Sequence, residues 1–220
     1  MNYTTLATTI KSYTENDFPT TVGDTGLTSA EQIAAFVKEA EQRIYNSVQL
    51  LELRKNVTGN CTADNKYVTV PSDWLANYSI AVIHPTTGVY TYLLNKDVGF
   101  IREAFPDPAS TGLPTYYAMF DQDSYIFAPT PDDDYSVELH YFYYPESIVT
   151  AGTSWLGDNF DSVLLYGALL EAYTFMKGEA DVLAGYQKRY DEAMAMLKQL
   201  GEGKNRQDMY RTQQIRYPVR

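Results

Sequence analysis

The chain has one cysteine, Cys61, and two histidines, His84 and His140, in 220 residues. A lone thiol closes no intrachain disulfide and rules out a four-thiolate zinc or iron–sulfur site. The histidines stand in neither an H-x-H nor an H-E-x-x-H spacing, so a histidine-based metal centre is not expected. They are read instead as partly buried residues of two strands. The G-x-S-x-G, G-x-x-x-x-G-K-[ST] and G-x-G-x-x-G signatures are also missing, which removes the nucleophile elbow and the common phosphate-binding loops. No stretch approaches eighteen apolar residues without a charge, so no membrane-spanning helix is expected. The opening residues MNYTTLATTIKSYTEND have no basic stretch leading into an apolar one, so a soluble protein of a reducing compartment is expected.

Positive charge is scarce as well. Seventeen Lys and Arg face 28 Asp and Glu, a net charge of -11. The isoelectric point lies near 4.6. A broadly negative surface repels a polyanion, which argues against gripping nucleic acid by phosphate neutralisation and against an anionic membrane. The run Asp132-Asp133-Asp134 beside Pro131 reads as a solvated turn, because a hard cation wants six or more oxygens from spaced positions. No catalytic residue, cofactor or metal is expected.

What the chain does have is apolar substance: 45% hydrophobic residues and 20 tyrosines. That is enough for a real core, with a surplus of broad rigid rings suited to interfaces and core edges. Leu6, Ile10 and Tyr13 predict a short helix over 4–13, and the Pro- and Gly-bearing stretch 14–28 predicts a loop. Thr28 with Glu31 forms a capping box. From there Ile33, Phe36, Val37, Ala40, Ile44, Val48 and Leu51 predict an amphipathic helix over about 29–51.

From Leu53 to Pro145 the period turns to alternation. Three hairpins are predicted, pairing 54–62 with 66–70, 79–84 with 89–94, and 115–120 with 124–128. A long strand covers 135–144, and a short helix covers 96–105. Helical spacing returns after Ser154. Asp158 or Asn159 caps a segment to Met176 that is apolar on every side, so it needs either the middle of a bundle or a neighbouring subunit around it. Gly178 is expected as its left-handed cap. An amphipathic helix over 179–200 follows, with Gly201 and Gly203 as its stop.

The resulting fold class is α+β. Residues 1–52 and 154–203 make a helical bundle, and 53–150 form an inserted antiparallel β domain, sandwich or barrel-like. Residues 204–220 form an extended C-terminal arm. The arm carries five basic residues and one acid, a net of +4, against 12 basic and 27 acidic residues in the rest. Arg206, Arg211 and Arg216 are five apart and share no helix face, and Pro218 disfavours a helix. Extended, the arm spans about 55 Å. Its opposite sign suits docking on an acidic neighbour.

The strings LRKNVTGN (53–60), YVTVPSDWL (67–75), YTYLLNKDVGFIREAFPDP (90–108), LPTYYAMFDQDSYIFAPTP (113–131), VELHYFYYPESI (137–148) and WLGDNFDSVLLYGALLEAYTFMKGEADVLAGYQKRYDEAM (155–194) carry a resemblance. In this order, they resemble the head-to-tail adaptors of tailed bacteriophages, with the tail tubular protein A-like adaptors of short-tailed phages as the nearest group. The resemblance covers about residues 28–203. It implies a structural, non-enzymatic virion protein forming a dodecameric ring between the portal and the tail nozzle. It also implies seating of tail fibres, passage of double-stranded DNA through the channel, and synthesis in the host bacterial cytoplasm. A C-terminal extension reaching a neighbouring subunit or the portal would here use Arg206, Tyr210, Arg211, Ile215, Arg216, Tyr217 and Arg220.

Two other classes remain open at this point. A carbohydrate-binding β module of a tail or cell-wall-targeting protein would use rings such as Trp74, Tyr90, Tyr92, Tyr116 and Tyr117. A cell-wall hydrolase would use a pair of carboxylates.

Overall fold

A computed structural model describes residues 1–19 and 26–205. The elements begin with α1 (Tyr3–Thr14), α2 (Ser29–Ser47), a one-turn 3-10 helix (Leu51–Leu53), β1 (Arg54–Cys61), β2 (Tyr67–Thr69), β3 (Ala76–Ile83), β4 (Tyr90–Tyr92) and β5 (Leu94–Asn95). After α3 (Val98–Ala104) come β6 (Tyr116–Met119), β7 (Ser124–Ala128) and β8 (Tyr135–Phe142). Four helices close the order: α4 (Ile148–Ala151), α5 (Trp155–Asn159), α6 (Asp161–Met176) and α7 (Ala180–Asn205). The chain divides into two compact units, Met1–Leu53 with Pro145–Arg220, and Arg54–Tyr144.

The helical unit is built around α6. Val163, Leu164, Leu165, Gly167, Ala168, Leu169, Leu170 and Ala172 are all buried on it, against α1, α2, α5 and α7. From Val163 to Ala172 its apolar character is therefore satisfied inside one chain, the bundle being the surrounding observed there, while Phe175 near its end stays exposed. Leu6 and Ile10 of α1, Ile33, Val37, Ala40 and Ile44 of α2, and Met194 and Leu197 of α7 are buried in this unit. Each such large side chain contributes about 1.5–3 kcal/mol of burial. The helices approach closely because Gly167 has no side chain: a Cβ there would lie 3.1 Å from Ala40 Cβ and 3.3 Å from the Tyr190 ring.

The capping box forms as expected: the Thr28 hydroxyl receives the Glu31 N–H, and the Glu31 carboxylate receives the Thr28 N–H. Several boundaries differ from expectation. The helix from Thr28 stops at Ser47, and Leu51 is exposed while Leu50 is buried. Neither Asp158 nor Asn159 caps α6. Ser154 caps the separate helix α5, and Phe160 joins it to α6 without a side-chain cap. The left-handed residue after α6 is Lys177, not Gly178. Gly178 instead lies against the Tyr173 ring, where a Cβ would come within 2.4 Å. Gly201 and Gly203 do not stop α7, which runs on to Asn205. Gly201 serves a close approach instead, since a Cβ would sit 3.0 Å from the Gln49 carbonyl oxygen.

The β unit holds two four-stranded sheets, ordered β1-β8-β3-β4 and β2-β7-β6-β5. Neither closes into a barrel; the packed pair is loosely sandwich-like. Between them lies a core of Cys61, Ile80, Val82, Leu93, Tyr117, Tyr125, Phe127, Tyr135, Val137, Leu139 and Tyr141. Strand β8 supplies its alternate residues to that core, as the alternation predicts. A smaller cluster of Ile101, Ala118, Ile126 and Ala128 brings α3 into contact with the second sheet.

Two of the expected hairpins form, β3 with β4 and β6 with β7. The first does not: β1 pairs with β8, and β2 with β7 in the other sheet. The intervening turn is tied to the β7–β8 connection, with the Ala63 N–H on Asp134 and the Asp64 N–H on the Pro131 carbonyl. Alternation reports that a strand has one buried face but not which partner lies beside it. The sheet is also not wholly antiparallel. β5 and β6 run parallel, with α3 inside the crossover that parallel neighbours require.

Candidate interaction surfaces

The rings that suggested sugar binding are mostly engaged in packing. Trp74 donates its indole N–H to Asn77 Oδ1 at 2.7 Å and meets Tyr125 edge-on. Tyr117 is buried in the core, and Tyr116 packs against Phe100 and Phe105. Only Tyr90 and Tyr92 of the five are largely exposed, stacked with centroids 6.4 Å apart. They do not form the convergent platform that the carbohydrate-binding alternative needs.

The polar candidates are likewise occupied by local structure. Asp132 accepts the Tyr135 hydroxyl at 2.5 Å, Asp133 the Asp134 N–H, and Asp134 the Ala63 N–H, so the acidic run braces its own turn and ties it to the β1–β2 turn. His84 lies one residue beyond β3, where Nδ1 accepts the Thr86 and Thr87 N–H groups. His140 is in β8, as expected, with its ring against Tyr78. Among the described residues no group of three or more His, Cys, Asp or Glu could hold a metal ion. No described helix is long and apolar enough to cross a membrane.

Beside these satisfied groups, the β unit has an opening. At the edge formed by β1 and β2, a cleft of about 340 Å³ enters between the sheets, lined by Val57, Gly59, Val68, Val70, Ile80 and Tyr125 among others. Its cause is local. The inward row of β1 carries Lys55, Val57, Gly59 and Cys61 opposite Tyr141, Leu139, Val137 and Tyr135. At Gly59 that row has no side chain, and an added Cβ would meet nothing within 4 Å. Val57, Val68 and Val70 therefore stay half-buried around a gap over the apolar core.

Polar links frame one end of the cleft. Asp73 receives the Lys55 ammonium at 2.7 Å and the Tyr141 hydroxyl at 2.7 Å, and both contacts hold its carboxyl below the usual range. Tyr125 donates to Asn77 Oδ1, while burial pushes its hydroxyl pKa upward. These bonds fix strands without presenting a reactive group, and the buried Cys61 thiol is pushed up by burial, away from the reactive thiolate. The cleft was not identified from the sequence, although an isolated glycine inside an alternating run, Gly59, is a recognisable pointer to it.

The arm residues Arg206, Tyr210, Arg211, Ile215, Arg216, Tyr217 and Arg220 lie outside the described residues. Among known families, the one described as SU10 adaptor protein matches residues 1–217. It is a family of structural phage proteins and not of enzymes. No curated protein matches the chain.

Proposed function

The chain belongs to the SU10 adaptor protein family, and from that premise we propose that it forms a ring, twelve copies in number, joining the portal to the tail nozzle of a phage virion. Its role as a structural adaptor of the phage particle comes with the family. The finer reading is that the ring surrounds the channel through which double-stranded DNA leaves the head and offers seats for tail fibres. Arg206, Tyr210, Arg211, Ile215, Arg216, Tyr217 and Arg220 contact a neighbouring copy or the portal. The protein is made in the cytoplasm of the bacterial host and ends in the virion.

The observation that carries the reading is the family match across 217 of 220 residues. The charge supports it. A chain at -11 has few cations with which to displace counterions, so DNA slides past it rather than sticking. Twelve identical copies would share one heterologous contact whose rotation closes a ring. Because α6 is covered within its own chain from Val163 to Ala172, the ring contact falls to exposed groups such as Tyr90 and Tyr92, together with the arm residues named above.

Electron microscopy of the purified chain mixed with its portal tests the reading. Closed rings stacked on portal particles are the expected image. Isolated single copies beside bare portals at every protein concentration would overturn it.

A further inference from the structure

The open edge of the β unit has a definite occupant in the chain's own sequence. We propose that the cleft between β1 and β2 receives residues 215–219 of a second copy as an added strand, with Tyr217 filling the gap over Gly59. This rests on the reading that identical copies assemble, and it specifies where the arm lands.

Three observations converge on it. β1 is an eight-residue strand hydrogen-bonded along one side only, to β8, among the described residues. Such an edge is a template for an extended peptide, whose backbone gives affinity while alternate side chains enter pockets. The cleft beside it is apolar and lacks one side chain at Gly59.

The C-terminal sequence Ile215-Arg216-Tyr217-Pro218-Val219-Arg220 has the complementary pattern. In an added strand Ile215, Tyr217 and Val219 would share one face, with the same two-residue spacing as Val57, Gly59 and Cys61. Hydrogen-bonding directions alternate along a strand, so when residues 215, 217 and 219 bond to β1, Pro218 turns its missing N–H away from β1. Proline in that position also stops a further strand from adding.

Charge agrees with shape. Arg216 and Arg220 would stay on the polar face, while the turns at the Cys61 end of β1 present Asp64, Asp132, Asp133 and Asp134. Fifteen residues follow Asn205, about 50 Å when extended, enough to reach a neighbour.

The test uses the full chain with Cys61→Ala, Gly59→Cys and Tyr217→Cys, oxidised after assembly and run on a non-reducing gel. Open space at Gly59 lets the new thiol fit, and circular dichroism verifies the fold. A ladder of covalent dimers and higher multimers is expected, absent when Tyr217 is restored. Solution mass is measured on the same samples. Rings without the ladder would overturn the docking site and leave the assembly reading standing. A linked, cyclised single chain would overturn the second copy as the source. Single copies without any link would overturn both inferences.

Discussion

The two units place a glycine in opposite surroundings, crowded in one and open in the other. In the helical unit the apolar helix α6 is enclosed by its own chain from Val163 to Ala172, with Phe175 exposed beyond, and Gly167 is a glycine because neighbours press on it. In the β unit a glycine, Gly59, leaves the core open at an edge, and Tyr78, Val89, Tyr90, Tyr92 and Leu94 stand exposed. An apolar helix thus need not leave a face for a partner, whereas a missing side chain in a half-buried strand leaves a gap in the core.

The sharpest way to break the comparison is to fill both glycines. Gly167→Val should cost about 1–3 kcal/mol in urea unfolding, since Ala40 and the Tyr190 ring must both give way to the added side chain. Gly59→Val should leave stability unchanged or raise it by up to about 1 kcal/mol, because a β-branched residue suits a strand and meets open space. Equal losses at the two positions would erase the distinction.

Deleting 206–220 ranks next. The far-ultraviolet circular dichroism and the unfolding midpoint of the subunit should stay nearly constant, while the concentration needed for assembly rises at least tenfold, about 1.4 kcal/mol. Unchanged assembly at low and high salt would remove the arm from the account.

A smaller effect separates the units by pH. Glu41 in α2 is buried and receives the Ile148 N–H at 2.9 Å; burial raises its pKa, with the Ser147 and Ile148 hydrogen bonds opposing. Its folded state binds the proton more tightly than the unfolded chain, so this site adds stability as pH falls through the raised value toward the ordinary 4.5, and loses it as pH rises. Asp73 in the β unit has the reverse sign. Lys55 and Tyr141 lower its pKa, so its contribution is present above the ordinary 3.8 and is lost as pH falls through the lowered value. Glu41→Gln should flatten the gain on acidification between pH 7 and 4.5, and Asp73→Asn should flatten the loss below pH 4. Unfolding curves across pH 3–7 check both.

The smallest change is expected at Tyr190, whose ring is buried while its hydroxyl has no hydrogen-bond partner among the described residues. Tyr190→Phe should alter stability by no more than about 0.5 kcal/mol, or raise it slightly. A loss above about 1 kcal/mol would reveal a partner for that hydroxyl.

Much of this architecture was legible in the residues. The Thr28–Glu31 box, the stripe from Ile33 to Ile44 and the alternation of Tyr135, Val137, Leu139 and Tyr141 are local patterns, and each appears as read. What local patterns cannot encode is the partner across space. The pairing of β1 with β8, whose partners lie 74 to 88 residues apart, and the parallel β5–β6 contact depend on chain routing rather than on alternation. The same limit hid the cleft: Gly59 reads as a weak strand residue until Val137 and Val68 are seen around it. The glycines near residue 201 misled for a related reason, since a glycine that ends a helix and one that lets a neighbour approach look identical in sequence.

The most direct measurement is native mass spectrometry of the full chain, with and without its portal, over a range of concentrations. Twelve copies at 24.9 kDa each give a closed species near 299 kDa, and that species, alone or carried on the portal, is the expected result. A single peak at 24.9 kDa under every condition would contradict the account.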